Sequence, residues 1–176
     1  MRSTTSRPSA AARCIASPAK CRPSSVRRLS ASISTTCSAP PISRLRKNIT
    51  LLIEPINPRD RPNYFLSHVE HAADIIGKAG RANIKMQFDF YHVQIVGGDL
   101  ITRLEKFLPA IGHLQCAAVP VRHEPDGGEI NYPFVFAEVD RLGYGGWIGC
   151  EYRPRGRTEA GLGWARLMAW FQRLNS

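Results

Sequence analysis

Past residue 47 two hydrophobic rhythms take turns along the chain. Short apolar-rich runs at residues 49–53, 83–90, 113–119 and 147–152 are each followed by a stretch with apolar positions three or four apart. Apolar runs bounded by turn residues read as strands covered on both faces, and the three-to-four spacing reads as amphipathic helix. The helices are expected within residues 64–80, 98–112, 130–146 and 159–174. Gly80 closes the first, and Asp99 stands near the start of the second. The third has Pro133 in its first turn and ends at Gly143. A βα order repeated four times predicts an α/β fold of parallel strands with helices outside.

At or near their C-terminal ends the strands carry oxygen-bearing side chains. The first strand ends in Glu54, the second in Asp89 and the fourth in Glu151, and the third carries Gln115. In "FDFYHVQ" an acid stands between two rings, with His92 three positions on. Parallel strands of a barrel present their C-terminal ends on one face, so these four oxygen-bearing side chains are expected to converge. Three acids so close would repel and could not all stay ionised. A divalent cation resolves this, and carboxylate plus amide oxygen favours a hard ion, Mg²⁺ or Mn²⁺, over zinc. A lone acid at a strand end is more often a helix cap or a loop ion pair. Four at successive strand ends are harder to explain separately.

Charge separates the chain into two parts. Of the formal net charge of +10, all arises in residues 1–47, which hold ten Lys and Arg and no acid; the remainder has fourteen of each sign. Residues 1–46 lack Phe, Trp and Tyr and are rich in Ser, Arg, Ala and Pro. Such a composition cannot bury enough apolar surface to offset its ordering entropy, so this segment is expected to be disordered and to supply no strand. It resembles an organelle transit peptide in composition. A nucleic-acid arm would fit the charge but lacks aromatics for stacking. The abrupt compositional change near Arg46 fits best a stretch foreign to the folded part, as translation in a wrong frame would give. No apolar run reaches membrane-span length. Of the five cysteines, Cys116 and Cys150 fall in strands and read as small buried hydrophobes. An odd count without a secretion signal suggests a reducing compartment, with the cytoplasm expected or an organelle as the alternative.

The words "LLIEPIN", "QFDFYHVQ", "GHLQCA", "GEINYPFVF" and "GWIGCEYRP" resemble the hydroxypyruvate isomerase family, whose members are xylose-isomerase-like TIM barrels and include relatives acting on 2-oxo-tetronates. The resemblance runs from about Arg46 to Trp170. It implies metal ligands at Glu54, Asp89, Gln115 and Glu151, with Glu54 and Glu151 also the acid/base pair. It implies a substrate contact at His92. Only four βα units are present where such a barrel has eight. The expected fold is therefore a partial TIM (β/α)8 barrel over residues 47–176, corresponding to the family's C-terminal half, with two open sheet edges.

The long polar loop "RHEPDGGEINY" brings Arg122, His123 and Glu129 toward the same face, and Arg122 and Glu129 are the candidate substrate contacts on it. As a plain connection it would look much the same. His68 and His71 share a helix with Glu70 and Asp74 and read as a solvated face rather than a second metal site. "VGGDL" reads as a turn and helix start rather than a phosphate site. Arg153, Arg155 and Arg157 follow Glu151, and a solvated basic run is favoured over an anion attractor. The implied function is a metal-dependent isomerase of small hydroxy-carbonyl acids, with no nucleic-acid or membrane partner and with self-association through the open edges. The competing reading is an inactive piece that binds at most a metal or a partner chain.

Overall fold

The computed structural model describes residues 13–15 and 49–167. Five parallel strands form one sheet in sequential order: β1 (Arg13–Ile15), β2 (Thr50–Ile53), β3 (Ile84–Asp89), β4 (Ile111–Cys116) and β5 (Ile148–Cys150). The helices are α1 (Val69–Ala79), α2 (Phe90–Val96), α3 (Leu100–Phe107), α4 (Tyr132–Arg141) and the short α5 (Thr158–Gly161). Among the described residues no helix is long and apolar enough to cross a membrane.

The expectation that the basic segment supplies no strand is corrected at one point. Arg13–Ile15 pairs in parallel with Thr50–Leu52. The edge of β2 offers unpaired backbone groups that any extended segment can satisfy, whatever its side chains. The rest of that segment, expected to be disordered, lies outside the described residues.

Local chemistry sets each boundary. The buried positions of α1 are Val69, Ala72, Ile75 and Ala79, one stripe against the sheet. Gly80 ends it at φ 59°, in the left-handed region that favours glycine. The helix starts at Val69 and not at residue 64 because the preceding segment ties back to the β2 loop. Ile56 N–H donates to Leu66 O at 2.9 Å, and the Tyr64 hydroxyl donates to Glu54 O at 3.1 Å. The periodicity missed α2, which follows β3 without a turn. Asp89 ends the strand and caps this helix at once, its Oδ1 accepting the Tyr91 N–H at 2.9 Å. β4 begins and ends earlier than its apolar run suggests, because Ala117–Val119 are buried in the following loop. The helix expected over residues 159–174 appears as α5 and a 3₁₀ segment, Leu162–Leu167; the remainder lies outside the described residues.

The core lies between sheet and helices. An aromatic series runs through it from Phe88 to Phe90, Tyr132, Phe136 and Trp164, with successive ring centroids 5.4, 6.2, 5.2 and 6.4 Å apart. Tyr132 is fully buried and clamps the loop after β4. Its hydroxyl donates to Ala117 O at 2.8 Å and accepts the Ala117 N–H at 3.0 Å. In that loop Gly128, at φ 89°, runs so close to Val119 that a Cβ would collide with the Val119 carbonyl. Cys116 is buried as expected, but Cys150 is exposed, because no strand covers the outer side of β5 among the described residues.

Candidate active site

Side chains alternate along β3, so the residues turned from the helices are Gln87 and Asp89, while Met86 and Phe88 enter the core. Register pairs Asp89 with Gln115 on β4. Glu54 directly follows β2, and Glu151 directly follows β5. The four strand-end residues thus share one end of the sheet.

Glu54, Asp89 and His92 are the tightest group. One ligand atom from each lies within 4.8 Å of the other two. His92 Nε2 is 3.8 Å from Glu54 Oε1 and 3.6 Å from Asp89 Oδ2. Those two carboxylate oxygens are buried without a hydrogen-bond partner. Burial is the main cause that lifts the Glu54 carboxyl to about 7 and that of Asp89 to about 8, with mutual repulsion among Glu54, Asp89 and Glu151 adding to it. Two orphaned, desolvated carboxylate oxygens aimed at one point form a hard-cation donor set, so the residues fit a divalent ion.

His92 fits that set less well, for a reason of tautomer. Its Nδ1 accepts the Asn57 backbone N–H at 3.3 Å, with the Asn57 side-chain amide at 2.6 Å. A backbone amide can only donate, so Nδ1 carries the lone pair and Nε2 the hydrogen. A ligating Nε2 would need the reverse arrangement. Burial first, then the Arg122 charge, lower its pKa to about 4, keeping the ring neutral. His92 therefore presents an N–H donor to the space between the carboxylates.

Gln115 Oε1 accepts the Gln87 amide at 2.6 Å, which fixes its orientation. Glu151 is half-exposed at the edge. What links it to the others is Arg122, in the left-handed region at φ 57°. Its Nη2 is 3.2 Å from Glu151 Oε2, 3.7 Å from Asp89 Oδ2 and 3.5 Å from His92 Nε2. Its Nη1 lies 3.1 Å from Asp60 Oδ2, and the guanidinium stands 4.7 Å from the Tyr91 ring centroid. Glu129 stays apart on the exposed loop, its backbone N–H donating to Val119 O at 2.9 Å.

Sequence reasoning missed Gln87, Asn57 and Asp60. Gln87 carried a signal, since it sits two positions before Asp89 and so on the same strand face. Asn57 and Asp60 act through loop geometry that no periodicity encodes. The other candidates resolve as structural features. His71 packs edge-on to Phe65 at 4.9 Å, and the Ser67 hydroxyl pairs with the ring of His68 at 2.9 Å. Gly98 and Asp99, both at positive φ, form the turn into α3. Arg155 is paired with Glu124 and Asp126 rather than turned to the site.

Residues 40–174 match the family described as Xylose isomerase-like TIM barrel. A 2-oxo-tetronate isomerase of Cupriavidus necator is 56% identical over 120 residues, 68% of this chain and 46% of that protein. The hydroxypyruvate isomerase of Escherichia coli is 44% identical over 120 residues, again 68% of this chain and 46% of that protein. A solved structure titled AP endonuclease, family 2, from Brucella melitensis is similar at a TM-score of 0.70 and 41% identity, covering 81% of this chain and 54% of that one. The chain spans about half the length of the curated relatives it matches. With its parallel strands, outer helices and strand-end acids, the chain belongs to the xylose isomerase-like TIM barrel family.

Proposed function

We propose that this chain carries the cation-binding and proton-transfer part of an isomerase of small hydroxy-carbonyl acids. The reaction is interconversion of hydroxypyruvate and tartronate semialdehyde, or of the related 2-oxo-tetronates. The observation that carries this reading is the pair of buried carboxylate oxygens of Glu54 and Asp89, without hydrogen-bond partners, at successive strand ends. The names of the relatives support the substrate class.

Glu54, Asp89, Gln115 and Glu151 would hold a divalent ion, Mg²⁺ or Mn²⁺. When bound, it supplies polarisation of the substrate carbonyl and stabilisation of developing oxyanion charge. The proton steps belong to the chain. Glu54 and Glu151 come from opposite flanks of the group, at the ends of β2 and β5. One carboxylate removes the proton from the hydroxyl-bearing carbon, giving an enediol, and the other carboxyl group returns a proton to the adjacent carbon. Asp89 and Gln115 take no part in proton transfer. Arg122 pairs with the substrate carboxylate as a charge-assisted donor. His92 offers its Nε2–H to a substrate oxygen, while Glu129, a substrate contact expected from sequence, stays on the exposed loop.

A second reading, a non-catalytic chain that binds a cation or a partner, is favoured by one observation: the Glu151 side chain is 52% exposed beside β5, whose outer side no strand covers among the described residues. The first reading requires the cation. Millimolar Mn²⁺ or Mg²⁺ is expected to raise the thermal midpoint, because a ligand bound only by the native state stabilises it by mass action. Asp89→Asn and Gln115→Leu should each shrink that rise. A midpoint indifferent to both ions would sink the four-ligand site.

A further inference from the structure

Cys116 and Cys150, on adjacent strands of the sheet, face each other. Cys116 ends β4, Cys150 ends β5, and the register of this parallel pair makes them direct partners. Neighbouring strands lie about 4.8 Å apart, within the roughly 4.4–6.8 Å that a disulfide spans between Cα atoms. The environments of the two thiols differ: Cys116 is enclosed and Cys150 is exposed. A reagent can reach only Cys150, while Cys116 waits beside it.

We propose that Cys116 and Cys150 are a reversible dithiol–disulfide pair, a modification site for small disulfides of the glutathione class. The Cys150 thiolate attacks one sulfur of the small disulfide, forming a mixed disulfide and expelling one thiolate. Cys116 then attacks the Cys150 sulfur, closing the Cys116–Cys150 bond and expelling the second thiolate, to which its proton passes. Two protein thiols are oxidised, one small disulfide is reduced to two thiols, and the two protein protons pass to the released thiolates. The bond would staple the edge strand to β4 beside Gln115 and Glu151, each one residue away. In a reducing compartment it reverses by the same exchange. This inference stands independently of the proposed catalytic role.

The test uses the full chain, which also contains Cys14, Cys21 and Cys37. The protein is incubated with oxidised glutathione, free thiols are blocked with N-ethylmaleimide, and the digest is read by mass spectrometry. The expected product joins the Cys116 and Cys150 peptides, is two hydrogens lighter than the reduced pair, and disappears with dithiothreitol. Cys116→Ala should stop at a glutathione adduct on Cys150. Cys150→Ser should leave Cys116 unreacted, which also reports that the sheet is folded. A wild-type chain that retains a stable glutathione adduct at Cys150 would overturn the proposal. So would one that joins Cys150 to a cysteine of the basic segment, or leaves both thiols free.

Discussion

Arg122 shows how much a single side chain can organise. Its guanidinium touches carboxylates from three places in the chain: Asp60, Asp89 and Glu151. Arg122→Met keeps much of the apolar stem and removes the charge. The three acids then lose their counter-charge, and buried Asp89 is the one for which that loss weighs most, about 1–3 kcal/mol. The thermal midpoint of the variant should fall by roughly 5 °C. Added Mn²⁺ should recover more in the variant than in the wild type, because a second cation then supplies what the guanidinium did. Equal midpoints for the two proteins without metal would show that Arg122 merely rests there.

Residue identity was more legible than residue pairing. Glu54, Asp89, Gln115 and Glu151 could be placed at one end of the sheet because each closes a recognisable apolar run, and strand direction does the rest. The tautomer of His92 could not be read, since it depends on one backbone N–H, that of Asn57, thirty-five positions away. Nor could the exposure of Cys150, which depends on whether another strand covers β5.

At the scale of elements, the clamp between α4 and the loop after β4 holds the segment that leads to Arg122. Pro133 and the Asn131 cap, which accepts the Phe134 N–H at 3.3 Å, mark the start of α4, so this helix was legible in advance. The clamp itself was not, because Tyr132 reads from sequence as one more apolar contact. Tyr132→Phe removes both hydrogen bonds to Ala117 and strands a buried N–H and C=O. An unsatisfied buried group costs about 1–3 kcal/mol. The urea midpoint should drop accordingly with an unchanged m-value, as the surface exposed on unfolding is the same. The variant should also bind Mn²⁺ more weakly, since a looser loop no longer fixes Arg122. A drop in stability with unaltered Mn²⁺ binding would separate the clamp from the site.

For the molecule as a whole, the question is what the described sheet can and cannot position. The five-stranded sheet brings the proposed acid/base pair and cation donors to one end, whereas a closed barrel of this family has eight strands. The outer side of β5 is bare among the described residues, and Trp147 beside it is 74% exposed. Open parallel edges and exposed aromatics favour pairing with other chains. The purified protein should therefore elute from gel filtration as oligomers. Its hydroxypyruvate turnover with Mn²⁺ should be small or absent, because orientation needs walls on both sides of the substrate and a displacement of about 1 Å can cost on the order of 100-fold. Joining residues 46–176 to the N-terminal half of the Cupriavidus necator 2-oxo-tetronate isomerase should close the sheet and restore turnover. Glu151→Gln in that chimaera should abolish it by deleting one proton-transfer group while leaving the fold intact. Brisk turnover by a monomer of the unjoined chain would refute the need for a second wall. Full activity of the Glu151→Gln chimaera would instead remove Glu151 from the proton relay.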